Sequence, residues 1–282
     1  MKVWKEKKKF LSSITLDVVA LIVSVIIFIV PFVFILLMAS KTRQEAALFE
    51  FTWPSEFQLF ENILKVLGYH NNRMLLALLN STIITISSVT LIVLFSSLVS
   101  FVMQRRADRM ASVVSSIMLA GLIIPPAIVP TIFLLKSLHI YKSLFGMIMV
   151  DVAYTMPFAI LIFRAFMGTI PRELDEAAII DGIPPLRIFS SIILPLLRPA
   201  IVTIVVTSSV TIFNDFVGPL YFLPGSKNVT APLTLFSFTS QFSSQWNLLF
   251  ADVLIITIIP LIIFIFFQKQ LISGMTSGAI KG

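Results

Sequence analysis

The chain has 282 residues, 57% of them hydrophobic and only 12% charged, with a mean hydropathy of +1.00 and a net charge of +7. A soluble domain carries about 25% charged residues, so this composition points to a protein held in a membrane. Cysteine is absent, which excludes disulfides and thiolate metal sites.

The N-terminus begins MKVWKEKKKF and runs into an apolar stretch. The run from Val18 to Met38 exceeds the roughly 7–15 residue core of a signal peptide, and no small-residue cleavage site follows it. It is expected to stay as an anchor. Runs of about 20 apolar residues cross a bilayer as helix. Six are expected: Leu16–Met38, Leu76–Val102, Val113–Leu135, Leu144–Phe166, Ala200–Tyr221 and Leu249–Phe267. The expected fold is all-α, a polytopic membrane protein of six transmembrane helices, treated as one domain over residues 1–282.

Lysines and arginines set the expected orientation. Lys2, Lys5, Lys7, Lys8 and Lys9 precede the first span; Arg105, Arg106 and Arg109 follow the second. The elbow region holds Arg164, at the end of the fourth span, with Arg172, Arg187 and Arg198, and Lys269 and Lys281 follow the sixth. All fall on one side if both termini are cytoplasmic. On the other side lie two long loops, Ser40–Arg73 and Leu223–Trp246, the latter with the turn signal Pro224-Gly225-Ser226-Lys227-Asn228.

Between the fourth and fifth spans runs PRELDEAAIIDGIPPLRIFSSIILPLLRP, residues 171–199. Pro171 suits a first helical turn, and Glu173, Asp175 and Glu176 complement the positive end of the helix dipole. Leu174, Ala177, Ala178 and Asp181 are expected on one face. Gly182 fits the left-handed residue that ends a helix. Pro184-Pro185 are expected to start a second short helix with an apolar stripe of Leu186, Phe189, Ile193 and Leu196, and Pro195 and Pro199 to bracket the start of the fifth span. Such an elbow can dock in a groove on a soluble partner, its acids giving charge-assisted bonds to basic groups. The alternative is an amphipathic helix on the membrane surface, although those favour lysine and arginine on the polar face.

Glu176-Ala177-Ala178, then Asp181-Gly182, then Ile193-Leu194-Pro195 resembles the EAA loop of binding-protein-dependent ABC importer permeases. Asn214-Asp215-Phe216 and the ending Gly274–Gly282 extend the resemblance to the shorter six-span subunit of the maltose-type carbohydrate family. The resemblance implies a cytoplasmic coupling helix in residues 171–199. Its ATPase-coupling residues would be Glu173, Glu176, Ala177, Ala178, Asp181, Gly182, Pro184, Leu194 and Pro195. Glu176 would pair with a basic residue of an ATPase, Ala177 and Ala178 would pack in its cleft, and the Gly274–Gly282 tail would reach toward the ATPase dimer. It further implies a heterodimer with a second permease subunit, two ATPase subunits, an external sugar-binding protein contacting residues 223–246, and a di- or oligosaccharide substrate in a bacterial cell membrane. No nucleic-acid partner is expected. The chain has no G-x-x-x-x-G-K-[ST] motif, so ATP and magnesium are expected on the partner ATPase, with no cofactor, metal or catalytic residue in this chain.

Ionisable and amide residues inside spans are functional candidates. Asn80, Asp151, Tyr154, Asn214 and Asp215 are the expected lining of a sugar path, with Asp252 and Tyr221 near them. Each could instead bond helix to helix. Pro125-Pro126 and Pro130 break the third span, either as a hinge or cavity wall or as a packed kink. His70 and His139 lack companions for a metal. Two rival functions are an ion-coupled secondary transporter using Asp151 and Asp252, and an intramembrane enzyme. No nucleophile-and-base pairing supports the second.

Overall fold

The computed structural model describes residues 17–69, 72–106, 109–225, 227–239 and 244–279, with side chains to Lys269. The N-terminal lysines, His70, Ser226, part of the aromatic stretch after Ser237, and Lys281 lie outside the described residues. Among the described residues there is helix and turn and no strand.

Four helices are long and apolar enough to cross a membrane: α1 (Asp17–Ser40), α4 (Arg73–Arg105), α7 (Leu144–Met167) and α12, which runs Trp246–Ala279. Two bent pairs bring the total to six if each is one span. In the first, α5 (Arg109–Ile123) meets α6 (Ile128–Ser137) at 119°. In the second, α9 (Pro185–Leu196) meets α10 (Arg198–Phe213) at 75°. Shorter helices are α2 (Arg43–Ala46), α3 (Leu59–Gly68), α8 (Glu173–Ile180) and α11 (Val217–Phe222).

Two expected spans are therefore not single rods. The third breaks over Ile124–Ala127, where Pro125 and Pro126 remove two backbone donors and restrict the residues before them. The fifth stops at Phe213. Asp215, one residue before the N-cap Phe216, accepts bonds on Oδ1 from the N–H groups of Val217 and Gly218 at 3.0 and 3.2 Å, which satisfies the first donors of α11 and lets a new helix start instead of the old one continuing.

The expected single domain packs as two compact units. The first comprises residues up to Asn72 and Leu235–Ile255. Its polar centre is Asn62, wholly buried. Asn62 Nδ2 donates to the carbonyls of Ala39 and Lys41 at 2.9 and 3.0 Å, and its Oδ1 accepts from Asn247 Nδ2 at 3.0 Å. One amide thus satisfies carbonyls that the end of α1 leaves without helical partners. Lys41, at the start of the loop after α1, is 1% exposed and donates through Nζ to the Glu50 carbonyl and Thr52 Oγ1. Thr42 and Glu45 form a capping box at α2.

The second unit comprises Arg73–Thr234 and the chain from Ile256 on. α4 and α7 lie side by side and run parallel: Ser88 meets Asp151, Ser100 meets the Ile160 carbonyl, and Gln104 meets Gly168. Lipid tails are as apolar as leucine, so close packing and hydrogen bonds must hold these helices together. α4 supplies both through a buried stripe of small residues including Ala77, Ser81, Thr85, Ser88, Ser96 and Ser100. The core they border includes Ile92, Ala159, Phe163, Met167, Ala200 and Ile204, and takes in Ala178, Ile188, Phe189 and Ile193 from the segment between α7 and α10.

Candidate functional site

The segment between α7 and α10 folds as the elbow the sequence predicts. α8 ends in a left-handed glycine, Gly182 at φ +74°. Gly182 N–H reaches the Ile179 carbonyl at 3.0 Å, and Ile183 N–H reaches the Ala178 carbonyl at 3.0 Å. This is the Schellman pairing, and it satisfies carbonyls that the helix end would leave bare. Pro184 is extended and Pro185 opens α9, as its fixed φ favours.

Two faces of the elbow differ from the sequence expectation. Ala178 is buried inside the second unit, together with Asp175, whereas Leu174, Ala177 and Asp181 point outward. Of the alanine pair, only Ala177 is accessible, because neighbouring helical residues sit about 100° apart. In α9 the expected stripe of Leu186, Phe189, Ile193 and Leu196 is displaced. Phe189–Ile193 form a π-helical turn, which widens the spacing, so Ile188, Phe189, Ile193 and Leu197 are buried while Leu186 and Leu196 are exposed. Leu194 is half-buried and Pro195 exposed. Phe189 packs against Phe101 of α4, ring centres 5.5 Å apart.

The outward face thus carries Glu173, Glu176, Ala177, Ile179, Ile180 and Leu186, of which Ile180 is 85% exposed. It mixes carboxylates with bare isoleucines beside a small residue. Behind it sits a pairing that sequence reasoning missed. Asp175 forms an ion pair with Arg105 Nε, and its Oδ1 accepts from Arg105 Nη2 at 3.4 Å. Arg172 Nη2 donates to the Gln104 carbonyl at 3.0 Å. Asp175 is therefore a partner of α4 as well as a dipole-compensating acid. Its partner lies 70 residues away, and no local signal announces it.

The polar candidates inside spans divide. Asn80 is buried, and its Nδ2 donates to the Val229 carbonyl at 2.9 Å. Next to it Ser81 Oγ accepts the Ala231 N–H at 2.9 Å. These bonds tie residues 229–231 down, so this part of the loop after α11 is buried. Asp151 is buried against Ser88 Oγ at 3.4 Å. Asn214 is exposed in the break after α10, where Asp215 accepts from the Val217 N–H. Tyr221 is exposed and its carbonyl accepts from Tyr141.

Tyr154 is the candidate that faces open space. Its hydroxyl lies 3.0 Å from Thr131 Oγ1, and it lines a cleft of about 490 Å³ with Pro125, Pro126, Ala127 and Pro157. The break in the third span is thus a cavity wall, not a packed kink. Asp252 is buried in the first unit. The C-terminal end continues as helix to Ala279, so the glycine-rich tail is helical up to that residue, and residues 280–282 lie outside the described part. Among the described residues no cluster of three metal-ligating side chains occurs.

Comparison with known proteins agrees with this architecture. Over 263 residues the chain is 31% identical to the "Probable starch degradation products transport system permease protein AmyC" of Thermoanaerobacterium thermosulfurigenes, covering 92% of this chain and 94% of that one. It is 32% identical over 207 residues to the melibiose/raffinose/stachyose import permease protein MelC of Bacillus subtilis, covering 72% and 75%. A chain in the crystal structure of a bacterial ABC transporter that imports the acidic polysaccharide alginate superposes with a TM-score of 0.77 over 94% of this chain and 96% of its own, at 18% identity. Residues 66–277, from the end of α3 through α12, match the family described as binding-protein-dependent transport system inner membrane component, and the chain belongs to that family.

Proposed function

We propose that this protein is a transmembrane permease subunit of an ABC importer for a di- or oligosaccharide, with the elbow of α8 and α9 as the surface an ATPase grips. The observation that carries this reading is the elbow itself. Glu173, Glu176, Ala177, Ile179, Ile180 and Leu186 stay outward while Asp175, Ala178, Ile188 and Phe189 anchor the same two helices in the core. Three exposed large apolar side chains beside carboxylates suit a groove on a protein.

The elbow then lies on the cytoplasmic side, as do both termini. ATP and magnesium bind the two ATPase subunits, which hydrolyse the nucleotide. A second permease subunit completes the pathway, and an external binding protein delivers the solute. A sugar is supported by the named solutes of AmyC and MelC. The Tyr154 cleft supports it too, since an aromatic ring next to a hydroxyl suits a pyranose. The ion-coupled alternative draws no support from these relatives.

The test is uptake by cells or proteoliposomes carrying the whole complex with Glu176→Lys. Transport of labelled raffinose or maltotriose should be lost while the chain stays in the membrane. Normal uptake in that variant would defeat the docking role.

A further inference from the structure

We propose that the segment from Leu48 to Gly68 is a membrane-seated collar. Its exposed apolar side chains insert into the headgroup–acyl boundary of the leaflet where α1 ends, so this loop meets lipid and not a protein. Only the first unit is involved, with α1 and the start of α12 as its spans, and the elbow plays no part.

The first observation is how closely the loop is tied to the end of the span. Gln58 N–H donates to the Ser40 carbonyl at 2.8 Å. Asn62 holds the carbonyls of Ala39 and Lys41, and Lys41 Nζ holds the Glu50 carbonyl and Thr52 Oγ1 at 2.7 and 2.9 Å. Aromatic rings then fix the depth. Phe34 lies about 9 Å of helix before Ser40. It stacks on Phe51 with ring centres 6.1 Å apart and meets Phe250 edge-on at 5.8 Å. Phe250 sits one turn inside α12, and Phe49 packs on it at 6.2 Å and on Trp246 at 4.9 Å. Phe49 and Phe51 therefore lie beside the last turns of α1 and the first turn of α12. A loop bonded and packed at that level cannot stand away from the membrane.

The second observation is what this tethered loop leaves bare. Trp53 is 85% exposed, Phe60 72% and Leu64 68%, and Leu48 and Phe57 are exposed with them. The rings of Phe57 and Phe60 lie 6.4 Å apart, so the patch is continuous there. Residues four apart share a stripe of a helix. From the buried Val66, the apolar arc of α3 runs through the half-buried Leu59, Ile63 and Leu67 to the bare Phe60 and Leu64. The other edge is charged, with Glu61 and Lys65 paired at 3.6 Å. The protein thus covers only one side of an arc that stays apolar beyond it. A helix with a broad apolar face and a narrow charged edge suits the plane of a membrane interface, and tryptophan is enriched at that level. The apolar surface continues onto α1, whose Phe32 and Leu36 are exposed just before the tether. Glu61 and Lys65 cancel in charge, so the attraction is apolar and does not call for an anionic lipid.

The chain has no cysteine, so a single introduced cysteine reports one position. Phe60→Cys, Leu64→Cys, Glu61→Cys and Lys65→Cys are made in the full chain. Each is purified with the subunits that accompany it, labelled with a nitroxide and placed in phosphatidylcholine vesicles. The same complex with the unaltered chain supplies the background. The readout is spin relaxation by oxygen, which concentrates in lipid, relative to relaxation by a water-soluble nickel chelate. Positions 60 and 64 should show an oxygen-to-nickel ratio several-fold above positions 61 and 65, as expected for side chains about 5–10 Å into the headgroup–acyl boundary. Trp53→Cys and Phe57→Cys should follow positions 60 and 64, and they stand in if either of those variants does not assemble. Equal nickel access at all positions would put the patch in water. Exclusion of both relaxants from positions 60 and 64 would put it under a protein. Either result would overturn the collar, and neither bears on how the elbow docks.

Discussion

The elbow and the polar residues of the spans start from the same ingredients, carboxylates and amides in an apolar chain, and use them oppositely. In the elbow, Glu173 and Glu176 face outward and Asp175 alone is turned inward to Arg105. In the rest of the protein, Asn62, Asn80, Ser81 and Asp151 are buried and bonded within the chain. A polar group inside a span is costly unless paired, so most such groups are consumed by structure. A polar group on an exposed helix can be spared for a partner. Where a residue sits therefore says more about its role than its type does.

The largest expected effect on this contrast comes from Glu176. Glu176→Gln should cut solute uptake by about tenfold, less than the lysine variant, with unchanged membrane levels, if a charge-assisted bond to a basic partner is the contact made there. Uptake by proteoliposomes and immunoblotting of membranes measure the two quantities. Next is Asn62→Ala in the first unit. It strands two buried carbonyls, each costing about 1–3 kcal/mol, and should lower the thermal unfolding midpoint of the purified protein markedly.

A smaller effect is expected at Gly182. A Cβ there meets nothing within 4 Å, so Gly182→Val is penalised by its φ of +74° alone. The cost is about 1–2 kcal/mol, visible as faster proteolysis at the elbow. Tyr154→Phe removes the hydroxyl beside Thr131 and keeps the ring in the cleft. It should change apparent affinity for the sugar more than assembly, by a factor of a few.

The smallest effect concerns pH. The Ser55 hydrogen bond holds the Glu45 carboxyl below the ordinary carboxylate range, with Thr42 bonds acting in the same sense. A carboxylate whose folded-state pKa is depressed contributes stability above its unfolded value and loses it as pH falls through the folded one. The wild-type melting temperature should therefore fall slightly more than that of Glu45→Gln between neutral pH and the acid range. Parallel curves would remove Glu45 from the capping of α2.

Legibility follows distance along the chain. Gly182, Pro184 and Pro185 act within one or two turns, and the elbow they shape is present as read from residues 171–199. Three spans match within a few residues at both ends, and the sixth at its start, because apolar length is local too. The Arg105–Asp175 pair spans 70 positions and the Asn80 bond 149, so neither leaves a mark in the pattern. The buried stripe of α9 departs from the 3.6-residue period because Phe189–Ile193 form a π-turn. The third and fifth spans carried visible signals, Pro125-Pro126 and Asn214-Asp215. Whether such residues bend a helix or end it is decided by neighbours such as the N–H groups of Val217 and Gly218.

Since the chain has no cysteine, a single one introduced at Ile180 can be crosslinked without background. The most direct measurement is a short bifunctional crosslink from Ile180→Cys in intact membranes. One dominant adduct, with an ATPase subunit, is expected, formed only when the reagent can enter the cell. Labelling by an impermeant thiol reagent from outside, or adducts with lipid alone, would contradict it.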